Sequence, residues 1–169
     1  LRSENLIAVT RGRLGLFHES LFDHLYAQQF TTNSSSLASV LTGPEQHLFR
    51  RTQSRQILEA LRQCDRQRYL KELREVLFGT NIRFHIRHAI AQWLGALADP
   101  TVEELRIVSA LNNCDQHSMQ LSNLALLGST GWFDLLQKEG WIEKELRCTG
   151  DRQDRILRWL SLRLGERPD

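Results

Sequence analysis

His85 and His88 are the pair in this sequence whose type and spacing come nearest to metal chemistry. Three positions apart on a helix, two imidazoles share a face. A zinc site needs at least three protein ligands, and no third is marked by spacing. Arg83 and Arg87 stand alongside and would repel a cation. The pair therefore reads as two polar side chains on the helix surface, and no metal ligand is assigned. Cys64, Cys114 and Cys148 are far apart, odd in number and without CxxC spacing. They suggest neither a zinc site nor a disulfide framework, and fit reduced thiols in a cytoplasmic protein. There is no GxxxxGKS/T phosphate loop, GxGxxG turn, HExxH helix or GxSxG elbow in the chain. No catalytic residue is assigned, and the chain reads as non-enzymatic.

Positive charge is the next candidate. From Pro44 to His88 there are ten Lys or Arg against five Asp or Glu. Arg50, Arg51, Arg55, Arg62, Arg66, Arg68 and Arg74 could line a groove for phosphates. The competing reading is a solvated helix face supported by i, i+4 pairs such as Arg68–Glu72 and Lys71–Glu75. Arginine outnumbers lysine nineteen to three in the whole chain, so part of the excess is composition. The net charge is only +2, and no nucleic-acid module accompanies the arginines. The solvated face is preferred, and nucleic acid is disfavoured as a partner.

The elements that would hold these residues are helices. Leu6–Val9 and Leu14–Phe17 are short apolar runs around Arg11-Gly12, which suggests an N-terminal β-hairpin. From His18 the period becomes helical, with Phe17, Leu21, Phe22, Leu25, Tyr26 and Phe30 on one stripe. The Thr31–Ser36 run breaks it and can cap a short helix over Leu37–Leu41. Gly43-Pro44 opens a long helix through Leu48, Phe49, Ile57, Leu58 and Leu61. Another runs from Tyr69 to Gly79, and a third uses Ile82, Ile86, Ile90, Trp93, Leu94 and Leu97. The next helix has two overlapping start signals: Asp99 before Pro100, or a Thr101–Glu104 capping box. Leu121 and Leu124 lie on a helix ending at Gly128, and Gly131-Trp132 is echoed by Gly140-Trp141. A last helix from Asp151 is expected to bury Ile156, Leu157, Leu160 and Leu164. Trp132, Trp141 and Trp159 read as packing residues. The expected fold class is α, an antiparallel, solenoid-like stack of about eight helices behind a short hairpin.

At 169 residues and 41% hydrophobic composition the chain can bury a substantial core. No apolar run is long enough for a membrane helix. It opens Leu1-Arg2-Ser3, its only methionine is Met119, and Gly165–Asp169 reads as a turn, so an internal fragment is expected.

Leu14-Gly15-Leu16-Phe17-His18-Glu19-Ser20-Leu21-Phe22-Asp23-His24-Leu25-Tyr26-Ala27 resembles the end of the winged-helix domain in NACHT-type STAND NTPases, the signalling ATPases of immune sensors. Phe17-His18, Phe22, Asp23, Tyr26 and Ala27 match that pattern in order. Leu48–Leu58, Ile82–His88 and Gly131–Leu136 are similar to helical regions that follow the ATPase core in large bacterial members. The resemblance implies residues 1–30 as the end of a winged helix, and 31–169 as a helical linker with the start of a sensor. It implies that His18 contacts the terminal phosphate of ADP in the resting state, the cofactor-binding role assigned to this chain. ATP or ADP with Mg would be bound by the parent and not by this segment. The partners implied are the rest of its own polypeptide and a protein ligand, with oligomerisation on activation and a role in bacterial antiviral defence. An imidazole opening a helix suits an anion, and a histidine flanking an ordinary helix is the competing reading. A freestanding helical-repeat scaffold that binds protein, or RNA through the Arg50–Arg74 face, is the other functional reading.

Overall fold

Apolar residues at three- and four-residue steps leave most of this chain with one way to bury its hydrophobic surface, as helices packed side by side. The computed structural model describes residues 7–10, 13–16, 19–33, 35–43 and 49–166, with side chains from 23 to 163 outside a few gaps. Two short strands come first, β1 (Ile7–Thr10) and β2 (Arg13–Leu16), paired antiparallel with Ile7 opposite Leu16. The Arg11-Gly12 turn lies outside the described residues, as do Phe17, His18 and Pro44–Leu48. Ten α-helices follow among the described residues: α1 (Glu19–Thr32), α2 (Leu37–Leu41), α3 (Phe49–Cys64), α4 (Arg66–Phe78), α5 (Phe84–Gly95), α6 (Val102–Ala110), α7 (Gln116–Leu126), α8 (Thr130–Lys138), α9 (Trp141–Leu146) and α10 (Asp151–Glu166). A 3-10 turn, Leu111–Asn113, joins α6 to α7.

The chain divides into two compact units, Leu1–Ile90 and Ala91–Asp169. In the first, α1 lies along α3, and α4 packs on both α2 and α3. Its core is Ala27, Phe30, Leu37, Leu41, Ile57, Leu58, Leu61, Tyr69, Leu73, Val76, Leu77, Ile82, Ile86 and Ile90. In the second, neighbouring helices from α6 to α10 pack in order, around Leu94, Val108, Leu111, Leu121, Ala125, Leu126, Trp132, Leu136, Ile142, Ile156 and Trp159.

Local signals explain most boundaries. Of the two start signals before α6, the capping box forms: Thr101 Oγ1 accepts from Glu104 N, and Glu104 accepts from Thr101 N at 2.8 Å. Asp65, Asp115 and Ser129 cap α4, α7 and α8 through their side chains. Gly140 takes φ +66° ahead of α9, a conformation a side chain would strain.

Two apolar stripes differ from expectation. In α1 the buried line is Asp23, Ala27 and Phe30, while Leu25 is 45% exposed. The small Ala27 lets α1 and α3 approach, and that contact turns Leu25 outward. In α10, Ile156 and Trp159 are buried and Leu157 is 50% exposed, while the Leu164 side chain lies outside the described residues. Trp159 has the larger surface to bury and sets the helix rotation.

Candidate functional site

One face of α4 meets the ends of two other helices, with opposite charges at its two ends. Arg68, Glu72 and Glu75 recur at four- and three-residue steps, so they share that face. Arg68 Nη1 donates to Thr31 O at 2.9 Å, and Nη2 donates to Phe30 O at 3.1 Å and Ser35 O at 2.9 Å. Its guanidinium also sits 5.1 Å from the Phe30 ring centre. The last carbonyls of a helix lack partners within it and carry partial negative charge. A planar cation with several donors satisfies both needs at the end of α1.

A turn further along, the sign reverses. Glu72 is 3% exposed, and its Oε2 accepts from Leu37 N at 2.7 Å and from Ser36 Oγ at 3.4 Å. Glu75 accepts from Ser36 Oγ at 3.0 Å. The residue before α2, Ser36, makes no capping bond with its own side chain. Carboxylates from α4 take that place, which corrects the expectation that the serine run caps α2 locally. The Arg68–Glu72 pair likewise gives way to these long-range bonds, whereas Lys71–Glu75 is present at 3.8 Å.

The start of α1 is tied to α3. Asp23 is 2% exposed and accepts from Gln53 Nε2 at 3.1 Å, and Arg50 Nη1 donates to Gln53 Oε1 at 3.0 Å. These polar residues were not legible as an anchor, because a charged residue on a helix reads by default as solvent-facing.

His18 lies outside the described residues, and α1 begins at the next position. Of the arginines from 50 to 74, Arg68 is spent on α1, Arg50 on Gln53, and Arg74 lies over the Phe78 ring at 5.6 Å. Arg55 lines an open groove of about 450 Å³ between α1 and α3, with His24, Gln28, Glu59 and Gln63. His88 packs on Phe84 at 5.8 Å between ring centres, while His85 Nε2 is shut off from solvent and has no hydrogen-bond partner among the described residues. Burial, with the Arg51 and Arg83 guanidiniums nearby, pushes the His85 imidazole below its ordinary value of 6.5. Among the described residues no group of three or more His, Cys, Asp or Glu is placed to hold a metal, and no helix is long and apolar enough to cross a membrane.

The second unit repeats a contact. Trp132 Nε1 on α8 donates to Leu94 O at the end of α5 at 2.6 Å, and Trp159 Nε1 on α10 donates to Leu127 O after α7 at 3.2 Å. In each case a tryptophan satisfies a terminal carbonyl of the helix three before its own. A glycine follows each accepting residue, Gly95 and Gly128, and the two lie so close that a Cβ on Gly128 would meet Gly95 O. Leu-Gly at 94–95 and again at 127–128 is the sequence signal for this relation. The Gly-Trp echo at Trp141 does not mark it: Trp141 is only half-buried. No family model matches the chain, and no curated protein or solved structure is found to be similar to it.

Proposed function

We propose that this chain is the non-catalytic helical region of a STAND-type signalling ATPase, coupling nucleotide state to ligand sensing and oligomerisation in bacterial antiviral defence, in the cytoplasm. In this reading residues 1–30 are the wing hairpin and exit helix of a winged-helix domain. Residues 31–169 form a solenoid-like linker and the start of a sensor. The observation that carries it is the α4 face, where Arg68 grips the end of α1 and Glu72 grips the start of α2. A shift of α1, the helix entered just after His18, would be passed to α4 through charge-assisted bonds and not through deformable packing. His18 would touch the ADP phosphate, and ATP or ADP with Mg would sit on the upstream core.

The coding sequence upstream of Leu1 tests this first: it should contain a GxxxxGKS/T loop. In that polypeptide, His18→Ala should weaken ADP retention and release oligomerisation without a trigger. One charge-assisted hydrogen bond, about 1.5–3 kcal/mol, shifts the closed-to-open balance roughly 10- to 150-fold. Unchanged ADP affinity removes the nucleotide role of His18. Absence of the loop leaves the second reading, a freestanding helical-repeat scaffold for a protein partner, which the recurring tryptophan contact favours.

A further inference from the structure

The second unit holds a groove of about 360 Å³ between α6 and α9, lined by Arg106, Ser109, Asn112, Asn113, Trp141 and Lys144 among others. That volume suits a short segment or small molecule. Its polar groups set it apart from the rest of the unit. Trp132 and Trp159 spend their indole N–H groups on backbone carbonyls. Trp141 is half-buried against the groove, and among the described residues no acceptor takes its N–H. Ser109 Oγ is shut off from solvent and, among the described residues, has no hydrogen-bond partner. Arg106 and Lys144 are exposed on the two walls, and among the described residues no carboxylate pairs with either. The lining carboxylate, Glu145, is buried and already engaged.

The inventory is rich in donors and poor in free acceptors, with two cations and one aromatic wall. An occupant should therefore offer acceptors, an anion and an apolar part. A carboxamide carries a donor and an acceptor side by side, which matches the C=O and N–H of a passing peptide unit. Asn112 and Asn113, also on the groove lining, supply two such groups. We infer that the α6–α9 groove binds an extended acidic peptide segment of a partner protein, with an apolar side chain against Trp141 and a carboxylate between Arg106 and Lys144. This names the partner chemistry within the sensing function proposed above and rests on that reading only for its biological setting.

The test uses the whole chain and three blocked peptides, in which Val alternates with Glu, Lys or Gln. The readout is the indole N–H resonance of each tryptophan, with Trp141 assigned through Trp141→Phe. The Glu peptide should move the Trp141 signal alone, and the Lys and Gln peptides should leave it in place. Reversing both charges, Arg106→Glu with Lys144→Glu, should weaken binding by more than about tenfold, since like charges then face each other. Both positions are exposed, so the fold should survive, and unchanged Trp132 and Trp159 signals would report it. Arg55→Glu, in the first unit, should have no effect. A still Trp141 signal with the Glu peptide, or equal shifts with all three, overturns the proposal. So does an equal shift with a thymidine oligonucleotide, because the groove would then select phosphate. None of these outcomes depends on nucleotide binding, so failure here and failure of the ATPase reading are separable.

Discussion

The Glu72 carboxylate receives the Leu37 backbone N–H at 2.7 Å from a helix thirty-five residues away, with both groups buried. The α2 helix has five residues and no side-chain cap of its own. Such a helix does not hold together in isolation. Its start depends on this carboxylate, and Leu37 and Leu41 then bury against the core. Glu72→Ala removes the acceptor and leaves a buried donor unpaired, at a cost of about 1–3 kcal/mol. Urea unfolding of the chain should show that loss, and Glu72→Gln, which keeps a carbonyl oxygen, should lose less. Equal losses from the two variants would mean that the carboxylate charge is what matters at this position, and that neither side-chain volume nor a neutral carbonyl acceptor does.

Arg68 does the converse at the end of α1. Its fork reaches the Phe30, Thr31 and Ser35 carbonyls while lying over the Phe30 ring. Lysine carries the same charge without the fork, so Arg68→Lys should recover little of what Arg68→Ala loses. The alanine variant should cost about 1.5–3 kcal/mol, the range for hydrogen bonds to a charged group. Amide exchange should quicken first in the 30–37 segment. Full rescue by lysine would show that charge alone holds the junction.

Helix existence was readable from the chain because the apolar period is local, and so was the Gly79 end of α4, while the Thr101–Glu104 box was legible only as one of two start signals. What could not be read is which helix satisfies which terminus. Ser36 is a good capping residue in isolation, yet tertiary packing brings the Glu72 carboxylate to the Leu37 amide and has the Ser36 hydroxyl donate to Glu75 instead. Asp23 and Leu25 exchanged places for a related reason: the face of α1 is chosen by its fit to α3 and not by the hydropathy of α1 alone. The groove at Trp141 gave no motif, since its residues come from two helices and a 3-10 turn. Its one signal was a tryptophan that breaks the pattern of the other two.

The two indole–carbonyl bonds predict an order of sensitivity. Trp132 is fully buried and its bond to Leu94 O is 2.6 Å, whereas Trp159 is 7% exposed with a bond of 3.2 Å to Leu127 O. Replacement by Phe keeps an aromatic ring and removes the donor in both. Trp132→Phe should destabilise by roughly 1–3 kcal/mol, from the unpaired carbonyl and the space left by the larger ring. Trp159→Phe should cost less, because water can reach the Leu127 carbonyl more easily. Thermal unfolding of the two variants side by side checks the order, and the reverse order would remove the terminal-carbonyl account.

The buried edge of His85 makes stability depend on pH. Its folded-state pKa lies below 6.5, first from burial and then from Arg51 and Arg83, so the fold prefers the neutral ring. Above 6.5 the ring is neutral in folded and unfolded chains alike, and its contribution is fully present. As the pH falls through 6.5 the unfolded chain takes up the proton first, and stability is lost until the folded pKa is reached. The ring is half-buried, so the slope should be shallow. His85→Gln cannot titrate there, and subtracting its stability curve removes the contribution of the other histidines. The wild-type chain should lose stability relative to His85→Gln between neutral pH and mild acid. Parallel curves over that interval would show that His85 binds its proton equally in both states.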